Sequence, residues 1–166
     1  MIELTRARIL NVPVDQVWEL VEPVERLPDW FGGIEAALLL GGQGLGRRQR
    51  TSGTWGSHRF EIDQTISQYE PDRALGWRHD AERLNGKPAP SVSRQTEFHV
   101  QLEALGERTR VQLTSRQLPG NVFKGFLIRL VAAPRVARMM DSSLDKLAAI
   151  IVGRSGEAGG GRYVVP

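Results

Sequence analysis

The chain of 166 residues contains no cysteine. That excludes disulfides and every metal site built on thiolate ligands. It agrees with a reducing compartment, and a cytoplasmic location is the expectation. Long apolar runs are missing as well, so no segment reaches the roughly 20 residues that span a bilayer. The sequence opens on the strand-like Ile2–Leu10, with no basic-then-apolar leader, and no signal peptide is expected. Histidine is scarce: His58, His79 and His99 are widely separated and form no close pair. A zinc site would have to gather them from separate strands without the usual spacing, so neither a metal nor a cofactor is expected. No Gly-x-Ser-x-Gly elbow occurs anywhere. Gly42-Gln43-Gly44-Leu45-Gly46 has the look of a dinucleotide loop but runs into Arg47-Arg48-Gln49-Arg50, another strand, where a parallel βαβ unit would need a helix. The net charge is +3, but nineteen acidic residues are interspersed and no aromatic-plus-basic stacking motif is present. The balance argues against a nucleic-acid partner.

The most informative stretch is Asn121–Val152. Phe123, Phe126, Leu130, Ala133, Ala137, Met140, Leu144, Leu147 and Ile151 recur at spacings of three and four, which puts them on one face of a helix. Asn121 suits the N-cap and Gly153 the left-handed stop. Pro134 removes one backbone bond inside the span and predicts a kink. At 1.5 Å per residue such a helix is roughly 45 Å long and needs one large apolar surface to lie on. The opposite face is basic, with Lys124, Arg129, Arg135 and Arg138. Because Asp141 and Asp145 interrupt it, it reads as a solvated face rather than a membrane contact.

The rest of the chain supplies that surface. Ile2–Leu10 reads as a strand whose alternation is blurred by Arg6 and Arg8. Val14, Val17, Trp18 and Val21 stripe a short helix behind Pro13, and Val24–Leu27 is one more turn closed by Pro28. Strands are predicted over Ile34–Leu40, Leu45–Thr51, Trp55–Tyr69, about Leu75-Gly76-Trp77-Arg78-His79, Thr96–Glu103 and Val111–Ser115, and Ala81–Pro90 reads as a long hairpin loop. Consecutive short strands joined by turns mean an antiparallel sheet of six or seven strands with one apolar face. The α+β domain is expected over 1–152, followed by a glycine-rich tail over 153–166.

This order, together with several short stretches, resembles the START-like (SRPBCC) superfamily, in its polyketide cyclase/dehydrase and lipid-transport branch. The carriers are Asn11-Val12-Pro13-Val14-Asp15-Gln16-Val17-Trp18, Leu27-Pro28-Asp29-Trp30, Tyr69-Glu70-Pro71, Gly106-Glu107-Arg108-Thr109-Arg110-Val111 and the long terminal helix. The resemblance covers about Ile2 to Val152. It implies a helix-grip fold, in which a curved antiparallel sheet wraps the C-terminal helix and leaves a chamber between them. Members bind lipids, quinones, hormones or polyketides, and some catalyse cyclisation or dehydration. No catalytic motif carries over, because members place their polar groups differently.

His79 is the foremost candidate. It shares a strand face with Leu75 and Trp77, and simple hairpin register sets Gln64 opposite His79 and Ile66 opposite Trp77. An imidazole beside an amide in an apolar chamber suits orienting a carbonyl or relaying a proton, although no carboxylate is placed to complete an acid–base pair. The competing reading is a core histidine satisfied by Gln64. Ser115 sits opposite Phe98 on the same inner face. Trp30 and Phe31 belong at the mouth of the grip, and Phe123, Phe126 and Met140 on the helix that closes it. His58 is placed at the end of the sheet, and His99 on the solvated face of its strand. Three roles stay open. The first is binding or transport of a small hydrophobic or amphipathic ligand such as a lipid, quinone or polyketide. The second is a cyclase or dehydratase using His79 with Gln64 or Ser115, and the third a co-chaperone-like interaction domain. Convergent polar groups inside suit catalysis, a dry interior suits carriage, and a filled one suits partner binding. The oligomeric state is not encoded in any feature of the sequence.

Overall fold

Strand β1 (Ile2–Leu10) leads into helix α1 (Val14–Val21), a 3-10 turn (Val24–Arg26) and helix α2 (Leu27–Trp30) in a computed structural model that describes residues 1–90 and 92–159. Seven strands follow: β2 (Ala36–Gly41), β3 (Arg48–Trp55), β4 (His58–Glu70), β5 (Ala74–Leu84), β6 (Lys87–Pro88), β7 (Ser93–Leu105) and β8 (Arg108–Pro119). The chain ends on one long helix in three parts: α3 (Val122–Leu127), a wide π turn (Ile128–Ala132) and α4 (Ala133–Gly159). Every strand pair is antiparallel, in the order β1-β8-β7-β5-β4-β3-β2 with β6 hanging from β5. An open antiparallel sheet with a long C-terminal helix and short helices after the first strand is the helix-grip architecture.

Several local features follow from single residues. The Asn121 carboxamide accepts from the Lys124 amide at 2.8 Å and caps α3. Proline at 134 has no N–H to offer Leu130, and its ring crowds that carbonyl. The chain answers by widening the preceding turn, so that the Ala133 amide reaches back to the Ile128 carbonyl, five residues away. The expected kink is thus a π turn within an unbroken helix. Gly153 does not stop the helix, which continues through Gly159. Without a residue in the left-handed conformation at 153, nothing there satisfies the C-cap geometry. The end of the expected tail, residues 160–166, lies outside the described residues.

Pro28 does not close its turn either. It occupies the first turn of α2, where a missing N–H costs nothing. The expected loop over 81–90 is largely strand. β5 runs to Leu84, turns at Asn85-Gly86 with positive φ at both residues (51° and 78°), and pairs back through β6.

The single apolar stripe of the terminal helix divides in two. Met140, Leu144, Leu147 and Ile151 are buried against Val17, Leu20, Trp30, Val111 and Leu113, whereas Phe123, Phe126 and Leu130 are exposed. The flanks of α4 are held by charge. Arg6 and Arg8 lie on the inner side of edge strand β1, opposite the buried Leu113 and Val111, and pair with Asp141 and Asp145 of the helix. The two arginines that blur the first strand's alternation therefore clip the helix to the sheet's edge. At the other end of the cleft, the Gly32 amide donates to Ser143 Oγ (2.8 Å), which donates to the Met139 carbonyl (2.7 Å). A Cβ on Gly32 would lie 2.9 Å from that carbonyl oxygen, so only glycine permits the approach.

Candidate functional site

The predicted register is the observed one: Gln64 faces His79, Ile66 faces Trp77 and Phe98 faces Ser115 across their strand pairs. Trp30, Phe31, Trp77 and Phe98 converge on the inner face, with Phe31 edge-on to Trp30, Trp77 and Phe98 at centroid distances of 5.4, 5.4 and 5.5 Å. These rings fill the interior near α2, a region the resemblance implies to be open. Met140 is fully buried in the same core cluster. Phe123 and Phe126 are not brought to these residues and stand on the open face of α3.

Beyond the rings a polar row crosses the concave face. Gln49 faces Gln64 on the adjacent strand, and its amide donates to Gln64 Oε1 at 2.9 Å; both side chains are buried. His79 continues the row and tilts against Phe98, with 5.9 Å between centroids. Its Nδ1 lies 2.7 Å from Glu82 Oε1. This supplies the carboxylate that the sequence reading lacks.

A β-bulge puts it there. Gln64 pairs with His79 and Asp63 with Ala81, so Asp80 is an extra residue on β5. Strict alternation from His79 would aim Ala81 inward and Glu82 outward. After the bulge Glu82 faces Ile62 and Leu84 faces Phe60, on the same side as Gln64. The sequence carries one trace of this: Trp77 is in odd phase, while the next large apolar residue, Leu84, is in even phase.

The electrostatics define roles within the pair. The hydrogen bond from His79 holds the Glu82 carboxyl below its ordinary value, and that effect outweighs the upward push of burial. An ionised carboxylate can only accept, so in the neutral imidazole the proton sits on Nδ1 and Nε2 presents a lone pair. Elsewhere on the face, Gln49 Oε1, Thr51 Oγ1, Ser115 Oγ and Trp77 Nε1 are buried with no hydrogen-bond partner among the described residues. Such atoms are costly to leave unpaired.

The other histidines stand apart. His58 bonds Asn85 (Nδ1···Nδ2 2.9 Å) at the start of β4. His99 corrects the expectation of a solvated ring. It packs under Gly76, faces Gln68 Oε1 at 3.1 Å and Glu97 Oε2 at 3.3 Å, and is largely covered. Glycine opposite it leaves the room that any Cβ would fill. On the convex face Asp63 bridges Arg50 and Arg83 at 2.6 and 2.9 Å, and their hydrogen bonds hold its carboxyl well below the usual range. Behind the site the buried Arg47 bonds the Glu22 carboxylate (2.6 Å) and its carbonyl (2.8 Å), with the Tyr69 hydroxyl donating to the same carboxylate at 3.3 Å. Among the described residues no three histidine, aspartate or glutamate side chains gather as a metal site, and no helix is long and apolar enough to cross a membrane.

Comparison with known proteins places this geometry. The family described as polyketide cyclase / dehydrase and lipid transport matches residues 1–152. Among solved structures the chain is similar to the Zhui aromatase/cyclase from a Streptomyces species, at 17% identity over 96% of this chain and 98% of that one, with a TM-score of 0.69. It is also similar to the protein XoxI from Bacillus cereus (19%, 92% and 96%, TM-score 0.69). A third is a major latex-like protein from Panax ginseng (11%, 89% and 95%, TM-score 0.66). Likenesses this distant establish the shared fold. No curated protein matches the sequence.

Proposed function

This chain belongs to the polyketide cyclase / dehydrase and lipid transport family, and from that premise we propose that it binds a small hydrophobic or amphipathic ligand on the concave face of its sheet. The observation that carries this reading is the polar row Gln49–Gln64–His79–Glu82 laid across a largely apolar surface. The half-buried Phe60, Ile62 and Leu84 flank the His79–Glu82 end and offer apolar contact. A ligand with one carbonyl or hydroxyl and a hydrophobic body, as in a lipid, quinone or polyketide, matches both halves. A cytoplasmic setting belongs to the same proposal, because a cysteine-free chain suits a reducing compartment.

A second reading, catalysis of the cyclase or dehydratase kind, is favoured by the carboxylate. A base needs a partner that fixes its tautomer, and Glu82, 2.7 Å from Nδ1, does so for His79. Nε2 would then take a proton from a carbon or hydroxyl next to the ligand's carbonyl. Native mass spectrometry of the purified protein identifies the ligand, and His79→Phe and Glu82→Gln separate the two readings. Turnover falling about 10²–10⁴-fold with affinity held supports catalysis. Affinity changing without any product formed by the wild type supports carriage. If no lipid, quinone or polyketide co-purifies, and none added binds in a His79-dependent way, the proposal fails.

A further inference from the structure

The first part of the long helix exposes an apolar surface. Val122, Phe123, Phe126 and Leu130 are 92%, 69%, 59% and 64% exposed, and Leu127 and Val131 also reach solvent. At about 100° per residue, Val122, Phe126, Leu130, Phe123 and Leu127 fan over roughly 140° of the helix. The line facing the protein is Gly125, seated on the Pro119 ring, and the buried Ile128. Lys124 and Arg129 fall on the two borders between the apolar fan and the protein-facing line.

Charge in this region has one sign. No acidic residue occurs between Glu107 and Asp141, so Lys124, Arg129, Arg135 and Arg138 lie in a stretch of sequence whose charges are all positive. Asp141 and Asp145 lie beyond the exposed fan and are taken up by Arg6 and Arg8 of β1. Arg129, Arg135 and Arg138 have no ion-pair partner among the described residues, whereas the arginines nearest the aspartates do. The Arg135 guanidinium lies 5.1 Å from the ring centre of Trp55, itself exposed at the end of β3, which brings an aromatic side chain beside the basic stretch.

We propose that α3 and the π turn form a membrane-docking element, which lays its apolar fan into the surface of an anionic bilayer with the cations at the headgroups. The fan contains no hydroxyl, amide or carboxylate, so it offers a protein partner none of the side-chain hydrogen bonds such interfaces use. A fluid apolar phase asks for none. Aliphatic and phenylalanine side chains rimmed by Lys and Arg are what the interface of an anionic membrane accepts. The inference stands independently of the His79–Glu82 reading.

The test is sedimentation of the full chain with phosphatidylcholine vesicles, with and without about one third phosphatidylglycerol. Partitioning onto the anionic vesicles is expected to exceed that onto neutral ones roughly tenfold or more, and to weaken with added salt. Phe123→Asp combined with Phe126→Asp should lower it by roughly tenfold again. These side chains are exposed, so an unchanged melting curve verifies that the variant is folded. Arg129→Gln with Arg138→Gln should reduce the preference for phosphatidylglycerol while leaving weak neutral binding intact. Failure to bind anionic vesicles overturns the proposal, as does binding that the two aspartates leave unchanged. Self-association of the wild type, lost in the aspartate variant and without vesicle binding, overturns it too and assigns the face to a second copy.

Discussion

Replacing Ser143 with alanine isolates the contact that fastens the Trp30–Phe31 corner to the long helix. Ser143 Oγ is buried, accepts from the Gly32 amide at 2.8 Å and donates to the Met139 carbonyl at 2.7 Å. Alanine leaves the Gly32 N–H without a partner, and the close approach of Gly32 to Met139 leaves little room for a water to replace it. Stranding one buried donor costs about 1–3 kcal/mol. The helical carbonyl loses only a second partner, and the slightly better helix propensity of alanine returns a few tenths. For a chain of this size roughly 2–4 °C in Tm follows each kcal/mol, so the expected fall is about 2–12 °C. The assay is thermal and urea unfolding followed by tryptophan fluorescence, with the adjacent, exposed Ser142→Ala as control. Ser142→Ala should stay within about 0.5 kcal/mol of wild type. If the two variants lose the same stability, the Ser143 bridge does not secure the corner and the reasoning is wrong.

Two further outcomes follow from the charge pairs. Arg50 and Arg83 hold the Asp63 carboxyl below its ordinary value; the resulting stability is fully present above about pH 3.9, where an unfolded aspartate ionises, and drains away as pH falls further toward the folded value. Urea midpoints measured downward from pH 5 should therefore drop less steeply in Asp63→Asn than in wild type, and parallel curves would refute the assignment. Arg47→Met should cost about 3 kcal/mol, because it leaves Glu22 half-covered without its buried partner. Asp145→Asn, which breaks the exposed pair with Arg8, should cost less than about 1 kcal/mol. Equal losses in urea unfolding would contradict the burial argument.

The architecture was legible because its signals are periodic and local. Period two in Thr96, Phe98, Val100 and Leu102 marks β7, and proline and glycine mark the turns. Gln64 meets His79 through two compensating departures from simple hairpin register: Glu70 faces Ala74 across Pro71-Asp72-Arg73, and Ser67 is an extra residue on β4. What periodicity cannot rank is competition for cover. Phe123, Phe126 and Leu130 satisfy the same spacing as Leu144 and Leu147, yet the sheet and α1–α2 bury only the second group. A spacing rule says which side chains share a face. It does not say whether a partner surface extends far enough to meet them. The helix end was missed for a related reason: a lone glycine stops a helix only when it adopts the left-handed conformation, and at 153 it does not.

The placement of the candidate site's residues was legible in part: Phe123 and Phe126, expected at the site, stand on the open face of α3. His79, Gln64, Trp77, Phe98 and Ser115 are on the inner face, as alternation requires. Glu82 escaped because alternation is a parity argument, and a single inserted residue reverses the parity of everything beyond it. Asp80 is that residue. Its insertion also explains why the strand continues where a loop was expected, since the polar run Asp80-Ala81-Glu82-Arg83 reads as solvent-facing only if it is assumed to be out of the sheet. With the parity reset, Glu82 and Leu84 point inward while Arg83 points outward to Asp63, at 2.9 Å. Both faces of the strand are thereby satisfied: the convex side gains an ion pair, and the concave side gains a carboxylate beside an imidazole. Pairing Asp80 in regular register instead would exchange the two faces, setting Asp80 opposite Asp63 and Glu82 opposite Glu61, repulsive pairings in place of an attractive one. The bulge is therefore the feature that makes the His79–Glu82 pair compatible with the sheet around it.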